Sequence, residues 1–213
     1  MTQENANRNI GLDLVRVTET AALAAGRWLG SGDRESAHRA ATRAMASALD
    51  TLDMNGVVVI GEERPLNGRS PLRGGQKVGS GHGPEVDLVV DPIDGTDLLI
   101  RGQPGAISVV GVTARGTMWS PAPAKYMEKI IVDQEAADAL VPECLNAPAA
   151  WTLALVARVK RKAVRDLTVM VLDRKRNTSL IQEIRDTGAH IILKEEGDAE
   201  GALVTLSPGT GVD

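Results

Sequence analysis

The sequence predicts an α/β fold: a helical pair packed on a mixed sheet, followed by a second α/β unit that is incomplete. Three observations predict it. Among 213 residues there are three Trp, one Tyr and no Phe, so Val, Leu, Ile and Ala must fill the core, which suits helices layered on a sheet. Apolar residues recur every three or four positions at the start of the chain and then give way to runs of branched residues. The last third alternates between strand-like and helix-like patterns.

Taken in order, residues 11–29 place Leu14, Val17, Ala21, Ala25 and Trp28 on one helical face, and "GSGD" at 30–33 stops the helix. A second, Ala-rich helix is expected from about Arg34 to Leu52, with Arg34, Arg39 and Arg43 outward. "GVVVIGEE" (56–63) reads as a strand buried on both faces. The Gly-, Pro- and Ser-rich stretch that follows reads as loop. Strands resume at "VDLVVD" and "AISVVGVTARGTM", with "MEKIIVD" (127–133) a third candidate, and residues 133–150 form a connection. Strand, helix and strand are then expected over 166–173, 177–188 and 189–198. The expected domains are 1–150 and 151–213.

At 43% hydrophobic and 24% charged, the chain reads as a soluble globular protein. A formal charge of −4 argues against nucleic acid as a partner. No apolar run reaches the ~20 residues needed to span a bilayer, so no membrane role is expected. The single Cys144 and the polar start "MTQENANRNI" favour the cytoplasm. The basic group Arg158, Lys160, Arg161, Lys162 and Arg165 reads as a solvated face before it reads as an anion patch.

The chemistry concentrates in "VDLVVDPIDGTD" (86–97). A strand delivering Asp91 at its C-terminal end places a carboxylate where α/β sheets build sites. Pro92 makes the chain leave the strand, so that Asp94 turns back towards Asp91, and Gly95 permits close backbone approach. Two hard oxygen donors facing one cavity suit Mg²⁺, and the Thr96 hydroxyl suits a water or a phosphate. The competing reading is an Asp-Pro turn with Asp94 capping a helix. A second hydrophobic strand ending in Glu62 and Glu63 favours the first, because paired acidic strand ends are what two-metal phosphoryl transfer needs.

"LVRVTETAALAAGRWLGSGD", "VVVIGEE", "KVGSGHGPEVDLVVDPIDGT", "GQPGAISVVGVTARGTM", "YMEKIIV", "VRDLTVMVLDRKR" and "IQEIRDTGAHIILKEEGDAEGAL" together resemble class II fructose-1,6-bisphosphatase, within the Mg²⁺- and Li⁺-responsive sugar and inositol phosphatase superfamily. The resemblance implies the layered αβα(βα) sandwich of the sugar phosphatases. It also implies metal-dependent removal of the 1-phosphate of fructose 1,6-bisphosphate, in gluconeogenesis, with Mg²⁺ or Mn²⁺. Glu62, Asp91 and Asp94 match metal-binding carboxylates, and Thr96 matches the threonine that positions the attacking water beside Asp94. Gly95, Thr96, Tyr126, Arg174, Lys175, Arg176, Glu196, Gly197 and Asp198 match substrate contacts, the basic segment gripping the distal phosphate.

The resemblance has three departures. His38 stands where the family has an aspartate metal ligand, and imidazole is a poor ligand for Mg²⁺ though adequate for Zn²⁺ or Mn²⁺. The loop after Glu63, with Arg64 and Arg69, replaces a segment that supplies a water-activating carboxylate. Family members continue past Asp213 with a Gly-rich phosphate loop and a further metal-binding glutamate. The expectation is therefore weak turnover at best, with a non-hydrolysing relative that binds phosphosugar or a full-length partner as the rival and an inositol monophosphatase-like enzyme third. An incomplete second unit would leave an apolar sheet edge uncovered, so a homo-oligomer is expected.

Overall fold

The computed structural model describes residues 9–63, 69–124 and 126–213; the extreme N-terminus and Arg64 lie outside them. The chain divides into two compact units, Met1–Ser120 and Pro121–Asp213, a mixed α/β architecture throughout. The division falls at Ser120/Pro121 rather than at 150, because the segment expected to be a connection belongs to the second core: Ala136 and Leu140 pack with Leu153, Val156 and Leu167.

In the first unit, α1 (Ile10–Gly26) and α2 (Arg34–Leu49) lie on a four-stranded sheet ordered β2–β1–β3–β4. The strands are β1 (Asn55–Ile60), β2 (Lys77–Val78), β3 (Glu85–Asp94) and β4 (Ile107–Ala114), with α3 (Thr96–Ile100) between the last two. β1 and β3 run parallel and the other pairings are antiparallel, giving the mixed sheet. Leu14, Val17 and Ala21 of α1, as the spacing predicted, join Met45 and Leu49 of α2 over Val58, Val86, Leu88 and Val90. Trp28 is half-buried beyond the helix end, against Ala25 and Ile93.

Three expectations here are corrected. β1 is not buried on both faces; Gly56 and Val58 are buried while Val57 and Val59 are half-buried, since only the α1/α2 layer covers it fully. The loop before β3 contains the two-residue β2, which pairs with Gly56 and Val57. β3 does not end at Asp91 but continues through Pro92 to Asp94, with an irregular register against β4 between Asp91 and Asp94. Proline lacks the amide for a regular ladder, and a bulge is where a strand can hold one.

The second unit holds α4 (Gln134–Ala137), α5 (Ala149–Lys160), β5 (Thr168–Leu172), α6 (Thr178–Asp186), β6 (His190–Lys194) and α7 (Asp198–Leu206). β5 and β6 pair in parallel, Thr168 opposite His190 through Leu172 opposite Lys194, as the strand–helix–strand pattern anticipated. Residues 127–133 are not a strand. Helices α5 and α7 were not read from the sequence.

Candidate active site

The parallel pairing of β1 and β3 sends both chains out at the same end of the sheet. The last paired residue of β1 is Ile60, opposite Val89, and Glu62 follows it by two residues beyond the strand, at the end of the sheet where β3 carries Asp91 and Asp94. Past β1 the chain is fixed by the Glu62 amide, which donates to the Leu72 carbonyl at 3.0 Å. Gly61 makes this crossing possible: a Cβ there would lie 1.9 Å from that same carbonyl oxygen. Glu63 is used up locally, accepting from the Gly74 amide at 2.8 Å.

At the end of β3, one Asp91 carboxylate oxygen accepts the Ile93 amide at 3.1 Å, a local turn that holds the bulge in shape. Asp94 is 8% exposed and Thr96 6%. Between them Gly95 adopts φ 90°, a left-handed conformation that favours glycine, with its Cα side against Ala106. Gly95, not Asp94, takes the N-cap position of α3. The Thr96 hydroxyl donates to the Ile93 carbonyl at 3.3 Å, longer than a typical hydroxyl bond.

His38 is nearly fully buried on the inner face of α2, between Ala37 and Ala41, and its Nδ1 lies 3.5 Å from a Glu62 carboxylate oxygen. Arg34, expected to face solvent, instead pairs with Asp97 of α3. Neither contact could be read from sequence, because each joins residues more than twenty positions apart that fit ordinary helical patterns. The Glu62, Asp91 and Asp94 carboxyls thus sit on neighbouring strand ends. Among the described residues, however, no three His, Cys, Asp or Glu side chains gather into a group that could hold a metal ion. The oxygen donors are of the kind a hard divalent cation takes; the imidazole against Glu62 is not.

In the second unit, the ends of β5 and β6 again lie side by side. Arg174 faces Glu196 at 3.6 Å, and the Arg176 guanidinium sits 4.1 Å above the Tyr126 ring. Gly197 (φ 95°) turns the chain into α7, where Asp198 meets Lys129 at 2.9 Å. Lys175 is exposed in a short 3₁₀ turn. Lys129 is the member that sequence reasoning missed. It lies inside 127–133, the stretch expected to be a strand, and nothing there gave a sign of its partner.

Behind these residues lies an ion cluster. Lys160 Nζ reaches Asp133 at 2.8 Å and Asp213 at 3.0 Å, and Lys162 Nζ reaches Asp213 at 2.6 Å. The Thr168 amide donates to the second Asp213 oxygen at 3.0 Å. The Lys160 hydrogen bond holds the Asp133 carboxyl below its usual range. For Asp213, burial pushes the carboxyl up, but bonds from Lys162, Lys160 and Thr168 outweigh it and leave the net shift downward. Burial pushes Lys160 down, and its two carboxylate bonds carry it above its ordinary value. Of the basic group expected on a solvated face, Arg158, Arg161, Lys162 and Arg165 are exposed as predicted, whereas Lys160 is not.

Two comparisons bear on identity. The family described as bacterial fructose-1,6-bisphosphatase, glpX-encoded, matches residues 8–213. The chain is 39% identical over 211 residues to the fructose-1,6-bisphosphatase class 2 of Haemophilus influenzae, covering 97% of this chain and 61% of that protein. It is 38% identical over 210 residues to fructose-1,6-bisphosphatase 1 class 2 of Escherichia coli K12, covering 97% and 60%. The chain therefore spans about three fifths of the length of these relatives. With a match running through both units, the chain belongs to the bacterial glpX-encoded fructose-1,6-bisphosphatase family.

Proposed function

We infer that the chain takes part in metal-dependent hydrolysis of the 1-phosphate of fructose 1,6-bisphosphate. The observation carrying this reading is the delivery of Glu62 and of Asp91 through Thr96 to one end of the first sheet by parallel neighbours, in a chain matched by the family from residue 8 onward. Glu62, Asp91 and Asp94, which do not gather into one group among the described residues, are the oxygen donors that would hold Mg²⁺ or Mn²⁺, which when bound supplies charge neutralisation at the phosphate and acidifies a water. The Thr96 hydroxyl, with Asp94 beside it, would orient the attacking water, and the Gly95 and Thr96 amides would face a phosphate oxygen. In the second unit Arg174, Lys175 and Arg176 would grip the distal phosphate, while Tyr126, Glu196, Gly197 and Asp198 would meet the sugar. None of the described helices is long and apolar enough to cross a membrane.

The test is phosphate release from fructose 1,6-bisphosphate with Mg²⁺ and with Mn²⁺, native chain against Asp91→Ala. Loss of a cation ligand should lower release by more than about 100-fold. Release that survives the substitution comes from a contaminant and sinks the reading.

A second reading is favoured by the His38–Glu62 contact at 3.5 Å, which places an imidazole against one of the three carboxylates. On it the chain binds phosphosugar without hydrolysing it. Phosphosugar binding in the presence of chelator, with no release by the native chain, would establish this second reading over the first.

A further inference from the structure

We propose that Arg34 and Asp97 are a positioning pair for the Thr96 hydroxyl, an inference that rests on the water-orienting role given to Thr96 above. Thr96 opens α3, and α3 cannot place it unaided. Five residues are too few for a helix to stand alone in water, and the N-cap, Gly95, offers no side-chain cap bond. The bond from the Thr96 hydroxyl to the Ile93 carbonyl, at 3.3 Å, is a loose one. The firmer supports come from the turn between α1 and α2, the "GSGD" stretch that stops the first helix.

The two ends of α3 are held differently. At the far end the Gly30 amide donates to the Leu99 carbonyl and the Gly32 amide to the Ile100 carbonyl, each at 3.0 Å, taking up acceptors that a helix end otherwise leaves unmatched. Both glycines are left-handed, φ 70° and 71°, a conformation that a side chain would resist. The turn is itself braced, for Ser31 Oγ accepts the Asp33 amide at 3.1 Å and Asp33 caps α2 through the Ser36 amide at 3.0 Å. Leu99 and Ile100 pack on Ala25, Ala37 and Ala41 of the helical pair. At the near end, beside Thr96, the tie to α2 is the ion pair of the Asp97 carboxylate with the Arg34 guanidinium. Removing the pair leaves α3 hinged on Gly30 and Gly32 with its first turn loose, and Thr96 moves with that turn. Magnitudes separate this role from plain stabilisation. The Arg34 and Asp97 side chains are 37% and 32% exposed, so the pair adds little to global stability. Displacing a water-orienting group by a fraction of an ångström, by contrast, costs about tenfold or more in rate.

Phosphate release from fructose 1,6-bisphosphate with Mn²⁺, read together with amide exchange, tests this in the native chain, Asp97→Asn, Arg34→Gln, the double variant and Asp97→Glu. Each of Asp97→Asn and Arg34→Gln should lower kcat about tenfold or more, with KM within about twofold of native and the urea midpoint unchanged. The double variant should be no slower than either single one, because the two residues act as one pair. Asp97→Glu keeps a carboxylate within reach of Arg34 and should hold kcat within about threefold of native. Exchange at the Leu99 amide, which closes the first turn of α3 on the Gly95 carbonyl at 3.1 Å, should quicken about fivefold in Asp97→Asn while the β1 and β3 amides stay native. Native kcat in Asp97→Asn, a change confined to KM, losses that multiply in the double variant, no retention of rate in Asp97→Glu, unaltered exchange at Leu99, or a urea midpoint that falls along with kcat overturns the proposal and leaves the functional reading standing. A native chain that releases no phosphate overturns that reading, and this proposal with it.

Discussion

Asp87 shows how much one buried side chain can organise. It lies in β3, where strand patterning alone would ask for an apolar residue, and it is 4% exposed. Its carboxylate faces Arg115 Nε at 3.2 Å and accepts the Gly116 amide at 2.7 Å, while the Arg115 guanidinium also donates to the Val86 and Asn55 carbonyls. Asp87→Ala should therefore cost about 3–4 kcal/mol, measured as a shift of the urea midpoint, because it leaves the Gly116 amide without its acceptor and the Arg115 guanidinium without its counter-charge. His38 makes the opposite kind of prediction. Exchanging it for Asp replaces an imidazole at Glu62 by a fourth carboxylate beside Glu62, Asp91 and Asp94, and Mn²⁺ affinity by isothermal titration should rise at least about tenfold. An unchanged affinity would show that His38 lies outside any cation site. The motif residues Asp91, Asp94, Gly95 and Thr96 were legible as a group because four chemically distinctive residues sit within six positions. His38, Arg34 and Lys129 were not, since what each does is set by a partner that only the folded chain supplies.

At the level of elements, long periodic segments were the readable ones. Four of the five residues expected on the buried face of α1, Leu14, Val17, Ala21 and Ala25, came out from a spacing of three and four, Trp28 falling beyond the helix end, and the β5–α6–β6 unit came out from its alternation. Residues 127–133 misled because an aliphatic run has the same composition whether or not a neighbouring strand is there to pair with it. β3 misled in the other direction: the proline that should end it sits in a bulge and the strand goes on. The cluster joining α5, β5 and residue 213 makes a pH prediction. Asp133 and Asp213 have folded values below the ordinary 3.8, so their contribution is present above that value and is lost as pH falls below it. Lys160 has a folded value above 10.5, so its contribution is complete below 10.5 and is lost as pH rises past it. Stability of the second unit should thus be level between about pH 5 and pH 9 and fall on the acid side below about pH 4. In Asp213→Asn the acid limb should flatten, with about 2 kcal/mol lost at neutral pH in thermal or urea unfolding, since Lys160 and Lys162 lose a shared charge partner.

For the molecule as a whole, separate apolar clusters underlie the two units: those around Met45, Leu49 and Leu88 and around Ala25, Ala37 and Ile93 in the first, and one around Leu153, Val156 and Leu167 in the second. Hydrogen exchange should accordingly report two cooperative blocks. Asp87→Ala is expected to lower protection across β1, β3 and β4 while leaving β5 and β6 at native values; loss of protection in both blocks would mean that the units open together. The sequence indicated a division but not its place, because the segment 133–150 carries short apolar groups such as Ala136 and Leu140 whose side of the boundary is decided by packing.

The crossing of residues 61 and 72 has a consequence for how this protein can vary. No side chain of any kind fits at 61, since even a methyl group would overlap the facing carbonyl oxygen. Drift at that codon is closed, and so is any change that thickens the backbone path beneath it. The neighbouring acid at 62 inherits a fixed address without having to be selected for one, so chemistry at this spot can be exchanged, as the imidazole across from it illustrates, while the ground on which it stands cannot.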